Sequence, residues 1–239
     1  MWLLSIYAMP KPLMKLLGKC NLQFCVLLSS IVHELNCYME IIIRYGLFVY
    51  LLLTFILTFA WPSYRVWRVT GHSPITFSNK DTAHDFVGSI FKILLLLQLI
   101  MVGIYTFTMS IVPYLLPFWF LDFSSFKIIG IIILLTSLIW ILIAQIQMAN
   151  AWRIGIDTKN DLSLVQSGLF SLTRNPIFIG MLSILFGFFL LLPNALSLLI
   201  FTSGYICMQV QVRLEEEYLH SQDQDGTYRS YFLKTPRWF

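Results

Sequence analysis

Arg174, Asn175 and Pro176 stand at the threshold of an otherwise unbroken apolar run, and Glu215, Glu216 and Glu217 stand where the next apolar run ends. Asparagine caps backbone N–H groups and proline at the first helical position gives up no needed donor, so Asn175-Pro176 reads as a helix start. Arg174 beside it has two readings. It is an interfacial arginine placed by the positive-inside tendency, or, with the positive end of the helix dipole, part of a site for a carboxylate or phosphate.

The glutamates also have two readings. Helical spacing puts Gln211, Glu215 and Leu219 on one stripe and Met208, Val212 and Glu216 on the next, while Arg213 and Glu217 pair at i, i+4. The triplet is a solvated acidic turn, or Glu215 or Glu216 turns inward toward Arg174. In the second case a cation and an anion share one place, which complements a zwitterion such as an amino acid headgroup.

Further polar groups fall on the same side: Gln145, Gln147, Asn150, Trp152, Arg153, Gln209 and Gln211. Taken singly, such amides bridge helices, and Trp152 and Trp238 anchor at the interface. Their convergence argues for a polar pocket. His33, His72, His84 and His220 share no metal-ligand spacing and read as loop or surface residues, so no metal site is predicted. Cys20, Cys25, Cys37 and Cys207 are scattered and read as apolar fillers.

The elements that must position these residues are membrane helices. With 58% hydrophobic and 12% charged residues in 239, the composition is that of a membrane protein. That length allows five or six spans of ~20 residues. The expected fold is an all-α polytopic membrane protein in a single domain with a cytoplasmic C-terminal helical tail. The net charge of +4 suits basic loops against anionic lipid, and no basic cluster points to nucleic acid.

Hydropathy predicts spans at Ile41 to Trp61, Phe91 to Val112, Ile128 to Met148, Ile177 to Leu192 and Ala195 to Val212. Pro193-Asn194 turns the last two into a hairpin. Residues 1–40 hold the lysines Lys11, Lys15 and Lys19 before the apolar run Cys20 to Val32, which reads as a sixth helix, an uncleaved anchor or a surface helix. Residues 41–148 then carry three spans, and 149–239 carry the loop, the hairpin and the tail. The lysine and arginine bias places Arg174 and the tail together in the cytoplasm whether or not the N-terminal run spans.

The order Gly168-Leu169-Phe170, Arg174-Asn175-Pro176-Ile177-Phe178-Ile179-Gly180, the hairpin, Glu215-Glu216-Glu217-Tyr218-Leu219, then Tyr228 and Tyr231 resembles the isoprenylcysteine carboxyl methyltransferase family, related to the phosphatidylethanolamine N-methyltransferases. The resemblance covers roughly Trp152 to Phe239. It implies S-adenosylmethionine as cofactor, held by Gly168, Phe170, Arg174, Pro176, Phe178, Gly180, Glu215, Glu216, Tyr228 and Tyr231. Arg174 and Asn175 would sit at the catalytic centre, and a lipid-like or prenylated methyl acceptor would approach from the bilayer.

Departures from the family pattern are local. Phe170 and Phe178 stand where it usually has tyrosine, Asn175 where it often has histidine, and Gly226 is one position closer to Tyr228 than usual. Imidazole acid/base chemistry is therefore not expected at position 175. Phospholipid N-methylation and thiol S-methylation are alternatives on the same scaffold. Sterol reductases using NADPH have similar C-terminal segments, but this chain lacks their asparagine-tyrosine pair and both aspartates. A transporter or assembly factor is the non-enzymatic alternative, and the breaks here lie at helix ends rather than at the midplane.

Overall fold

The structure, a computed structural model, describes residues 22–71, 82–149 and 164–238. Lys11, Lys15, Lys19, Cys20, His72, Asn150, Trp152 and Arg153 lie outside them. The chain divides into two units, Met1–Leu47 and Phe48–Phe239. Of the first, the described part is helix.

The protein is an all-α polytopic membrane protein: every extended element among the described residues is helical, and Glu40–Thr70, Ala83–Phe107, Ser124–Met148 and Ala195–Gln222 are long and apolar enough to cross a bilayer. Helix α1 runs Leu22–Phe55 and continues through a π-helical turn, Ile56–Ala60, into α2, Trp61–Thr70. Leu22 to Tyr45 contains no proline or glycine, so nothing separates residues 22–40 from the first predicted span, and they belong to its helix. Pro62 explains the local geometry after Phe55. It cannot donate to the Thr58 carbonyl four residues back, and that carbonyl accepts from the Gln145 side-chain amide at 2.7 Å.

Helix α3 is Ala83–Phe107, opened by Thr82, whose hydroxyl accepts from the Asp85 amide. It starts before Phe91 because this polar cap, and not the onset of hydropathy, sets the first turn. It stops short of Val112 because the chain tightens into 3-10 turns at Met109–Leu115, around Pro113, and Trp119–Leu121. Helix α4 is Ser124–Met148. After it come the single turn α5, Leu169–Leu172, then α6, Pro176–Leu191, α7, Ala195–Gln222, and α8, Thr227–Lys234.

The Pro193-Asn194 hairpin forms as the sequence predicts. Asn194 is fully buried and caps α7 reciprocally with Ser197. The backbone there also meets the segment before α4, with Phe118 N–H donating to Pro193 O at 2.8 Å.

Helices α4 and α6 form the most extensive pairing, and α3 lies on α7. The close approach of α4 and α6 depends on small residues: a Cβ at Gly187 would lie 2.8 Å from Leu134 Cδ2, and one at Gly180 2.4 Å from Ile141 Cγ1. The partners run antiparallel, since Trp140 meets Pro176 while Gly130 meets Gly187. One end of the bundle therefore gathers the start of α3, the end of α4, the start of α6 and the end of α7. At about 1.5 Å per residue, the 28 residues of α7 exceed the ~30 Å apolar layer, so its last turns project past that layer.

Candidate functional site

At the gathered end, Thr173 is extended and fully buried, and the chain then turns through Asn175 into α6. Asn175 occupies the cap position and Pro176 the first helical position, as the sequence predicts. The asparagine side chain does not cap. Its Nδ2 donates to the Arg237 carbonyl at 3.1 Å, and the Asn175 amide instead donates to Thr173 Oγ1 at 3.3 Å. Pro176 is buried, and its carbonyl accepts from Trp140 Nε1 at 2.9 Å.

Arg174 turns to α7. Its Nε and Nη2 donate to Glu216 Oε1 at 3.0 and 2.9 Å, and both side chains are 8% exposed. The second oxygen of Glu216 accepts from Arg237 Nε and Nη2 at 2.9 and 2.6 Å. Arg174 Nη1 donates to the carbonyls of Phe232 and Thr235, and its guanidinium lies 4.0 Å from the Phe232 ring centroid. Two guanidiniums and one carboxylate leave the cluster with a formal charge of +1.

The C-terminal segment is fastened around this core. Arg174 N–H donates to Pro236 O at 3.0 Å, and Thr173 Oγ1 donates to Arg237 O at 3.0 Å. Tyr231 donates its hydroxyl to Phe170 O at 2.6 Å. Burial pushes the Tyr231 phenol up to about 12 and raises that of Tyr228 as well, so both rings stay neutral. Hydrogen bonding to Glu216 holds the Arg237 guanidinium above its ordinary range. Gly226, with φ 75°, precedes the first residue of α8, and Asp223 Oδ1 and Oδ2 accept from the amides of Tyr228 and Arg229.

Glutamates 215 and 216 part company, because consecutive helical residues point about 100° apart. Met208, Val212 and Glu216 form a buried stripe. Glu215 is half-buried and accepts from Gln211 Nε2 at 2.8 Å, and the Gln211 amide is within 3.1–3.2 Å of His84 Nδ1. His84 is thus a half-buried first-turn residue of α3 rather than a loop residue, and His220 lies edge-on to Tyr228 and Phe232. Arg213 does not pair with Glu217. It reaches back to the Gln209 carbonyl and side chain at 2.6 and 2.8 Å, since helical side chains lean over the preceding turn.

Of the other predicted positions, Gly168 has φ 64°, and a Cβ there would lie 2.3 Å from Gln147 Nε2. That approach lets Gln147 Oε1 accept from the Leu169 amide at 2.8 Å. Phe170 is buried, Gly180 packs on Ile141, and Phe178 is half-buried. The structure therefore joins Arg174, Asn175, Phe170, Glu216, Tyr228 and Tyr231 with the tail, and sends Glu215 toward α3. Sequence reasoning missed Arg237, Phe232 and Thr235. The only trace of Arg237 was its place in the basic bias of one side, since a lone arginine near a chain end has no spacing that ties it to a glutamate in a distant helix.

Residues 125–222 match the family model described as phospholipid methyltransferase. The match spans α4 to the end of α7, less than half of the chain, so it includes Arg174 and Glu216 but not α8 or Arg237. No curated protein and no solved structure matches the chain. The match supports a membrane methyltransferase of the phospholipid or isoprenylcysteine type.

Proposed function

We propose that this protein is an S-adenosylmethionine-dependent methyltransferase that methylates the carboxylate of an isoprenylcysteine-like or other lipid-borne acceptor at the cytoplasmic face of its membrane. The observation that carries this reading is the pairing of Arg174 with Glu216, 42 residues apart, within the segment that matches the phospholipid methyltransferase model. A net positive cluster suits the anionic end of the cofactor, whose methionyl part is a zwitterion. Phe178 offers an apolar ring near the start of α6, and Glu215 a carboxylate on the neighbouring stripe of α7.

When bound, the cofactor supplies a methyl group already activated on a sulfonium. The chain then has to align the acceptor and exclude water. A carboxylate acceptor meeting a sulfonium cancels charge, which a site of low dielectric favours, and it needs no base. An amine must lose a proton first. Asn175 carries no proton-accepting group of suitable basicity, Tyr228 and Tyr231 are held neutral, and both oxygens of Glu216 are engaged by arginines. These groups favour a carboxylate acceptor.

A second reading, phospholipid N-methylation, is favoured by the description of the matching family model. The two give different products. Membranes containing the protein, incubated with methyl-labelled S-adenosylmethionine, should yield a lipid methyl ester that releases labelled methanol on mild alkaline treatment. Label retained in a phospholipid headgroup would establish the second reading, and saturable binding of NADPH with no methyl incorporation would overturn both.

A further inference from the structure

We propose that Arg237 is the guanidinium that receives the carboxylate of the cofactor's methionyl end, an inference that rests on the methyltransferase reading above. It follows from which N–H groups the chain itself already uses. A guanidinium has five N–H donors in a fixed fork. Arg174 directs Nε and Nη2 to Glu216 and Nη1 to the carbonyls of Phe232 and Thr235, with the Phe232 ring against one face. Its side chain is 8% exposed. Arg174 is engaged by the protein on almost every side.

Arg237 is different. Its Nε and Nη2 both go to Glu216 Oε2, no protein acceptor among the described residues takes its Nη1, and its side chain is 30% exposed. Glu216 has each oxygen occupied by two N–H groups, so it offers nothing to an incoming ammonium while both arginines stay in place. What the cluster leaves without a protein acceptor among the described residues is Nη1 of Arg237, on a partly exposed side chain. The Arg237 carbonyl, held by Thr173 and Asn175, fixes this residue beside the start of α6. A carboxylate on Arg237 therefore lies next to the Arg174 segment without displacing the Arg174–Glu216 pair.

The test compares dissociation constants of S-adenosylmethionine and its decarboxylated analogue for the full-length protein in lipid nanodiscs. The parent protein should prefer the carboxylate-bearing cofactor. Arg237→Gln should weaken that cofactor by about 10- to 100-fold, the loss expected for one charge-assisted hydrogen bond, and should not weaken the analogue, whose ammonium gains access to the freed oxygen of Glu216. Arg237→Lys should fall between, because an ammonium keeps the charge and loses the fork, and it carries the same comparison should the glutamine variant not fold.

Equal weakening of both compounds would mean that Arg237 acts only by holding Glu216, and would overturn the proposal. So would unaltered cofactor binding, or a raised acceptor KM with cofactor binding intact, which would place the anion on the acceptor. Failure of the parent protein to bind either compound would overturn the methyltransferase reading and this inference with it.

Discussion

Glu216 holds together two residues that are themselves fastened to different parts of the chain, Arg174 at the start of α6 and Arg237 in the tail. Removing one partner of a buried pair costs more than the pair contributes, because the remaining charge is left desolvated. Glu216→Ala should therefore destabilise the protein by about 3 kcal/mol, the lower end for breaking a buried pair, since Arg237 is partly exposed and can reach water. Thermal denaturation in detergent reads the change. The double variant, Glu216→Ala with Arg174→Ala, should lose less in total than the sum of the two single changes, and strict additivity would show that the pair is not coupled. The helical stripe of Met208, Val212 and Glu216 was legible, but it left open whether a glutamate turns inward and whether that is Glu215 or Glu216. Its partner was not legible either, because spacing within one helix says nothing about the azimuth of another.

Among the elements, the pairing of α4 with α6 sets where Pro176 and Arg174 stand. Gly187 allows that pairing because its Cα lies where a side chain would meet Leu134 and the Gly130 carbonyl. Gly187→Leu should force the helices apart, with a cost of about 1–3 kcal/mol for overpacking. Gly103→Leu, at a position where a Cβ meets nothing within 4 Å, should leave the unfolding midpoint in place. Equal effects from the two would mean that close helix approach does not govern stability. Helix existence and order were legible in hydropathy, as was the Pro193-Asn194 hairpin. The ends of α1 and α3 were not, because a polar cap at Thr82 and an uninterrupted helical run before Ile41 carry helix past the limits of apolar composition.

At the scale of the whole molecule, the arginines near the site lie at one end of the bundle, with Arg65 donating to the Ala149 carbonyl at 3.2 Å beside the end of α4. The other end carries the Lys127–Asp122 pair at 2.7 Å. The positive-inside tendency predicts that the site end is cytoplasmic. In sealed vesicles of known sidedness, a membrane-impermeant thiol reagent added on the cytoplasmic side should label Ser221→Cys and spare Asp122→Cys. The reverse pattern would put the site on the opposite face.

Composition and apolar run length by themselves determined that this is an all-helical membrane protein, since a bilayer admits few ways to satisfy a backbone. The order of the Arg174, Glu216 and tyrosine motifs likewise carried the resemblance to membrane methyltransferases. Only the tertiary structure decided that Arg174 and Glu216 bond directly to each other, that Glu215 faces His84 through Gln211, and that Arg237 completes the cluster. The physical reason is that spacing along a helix assigns a face, whereas a contact between distant segments depends on how helices α6 and α7 pack and where the tail returns.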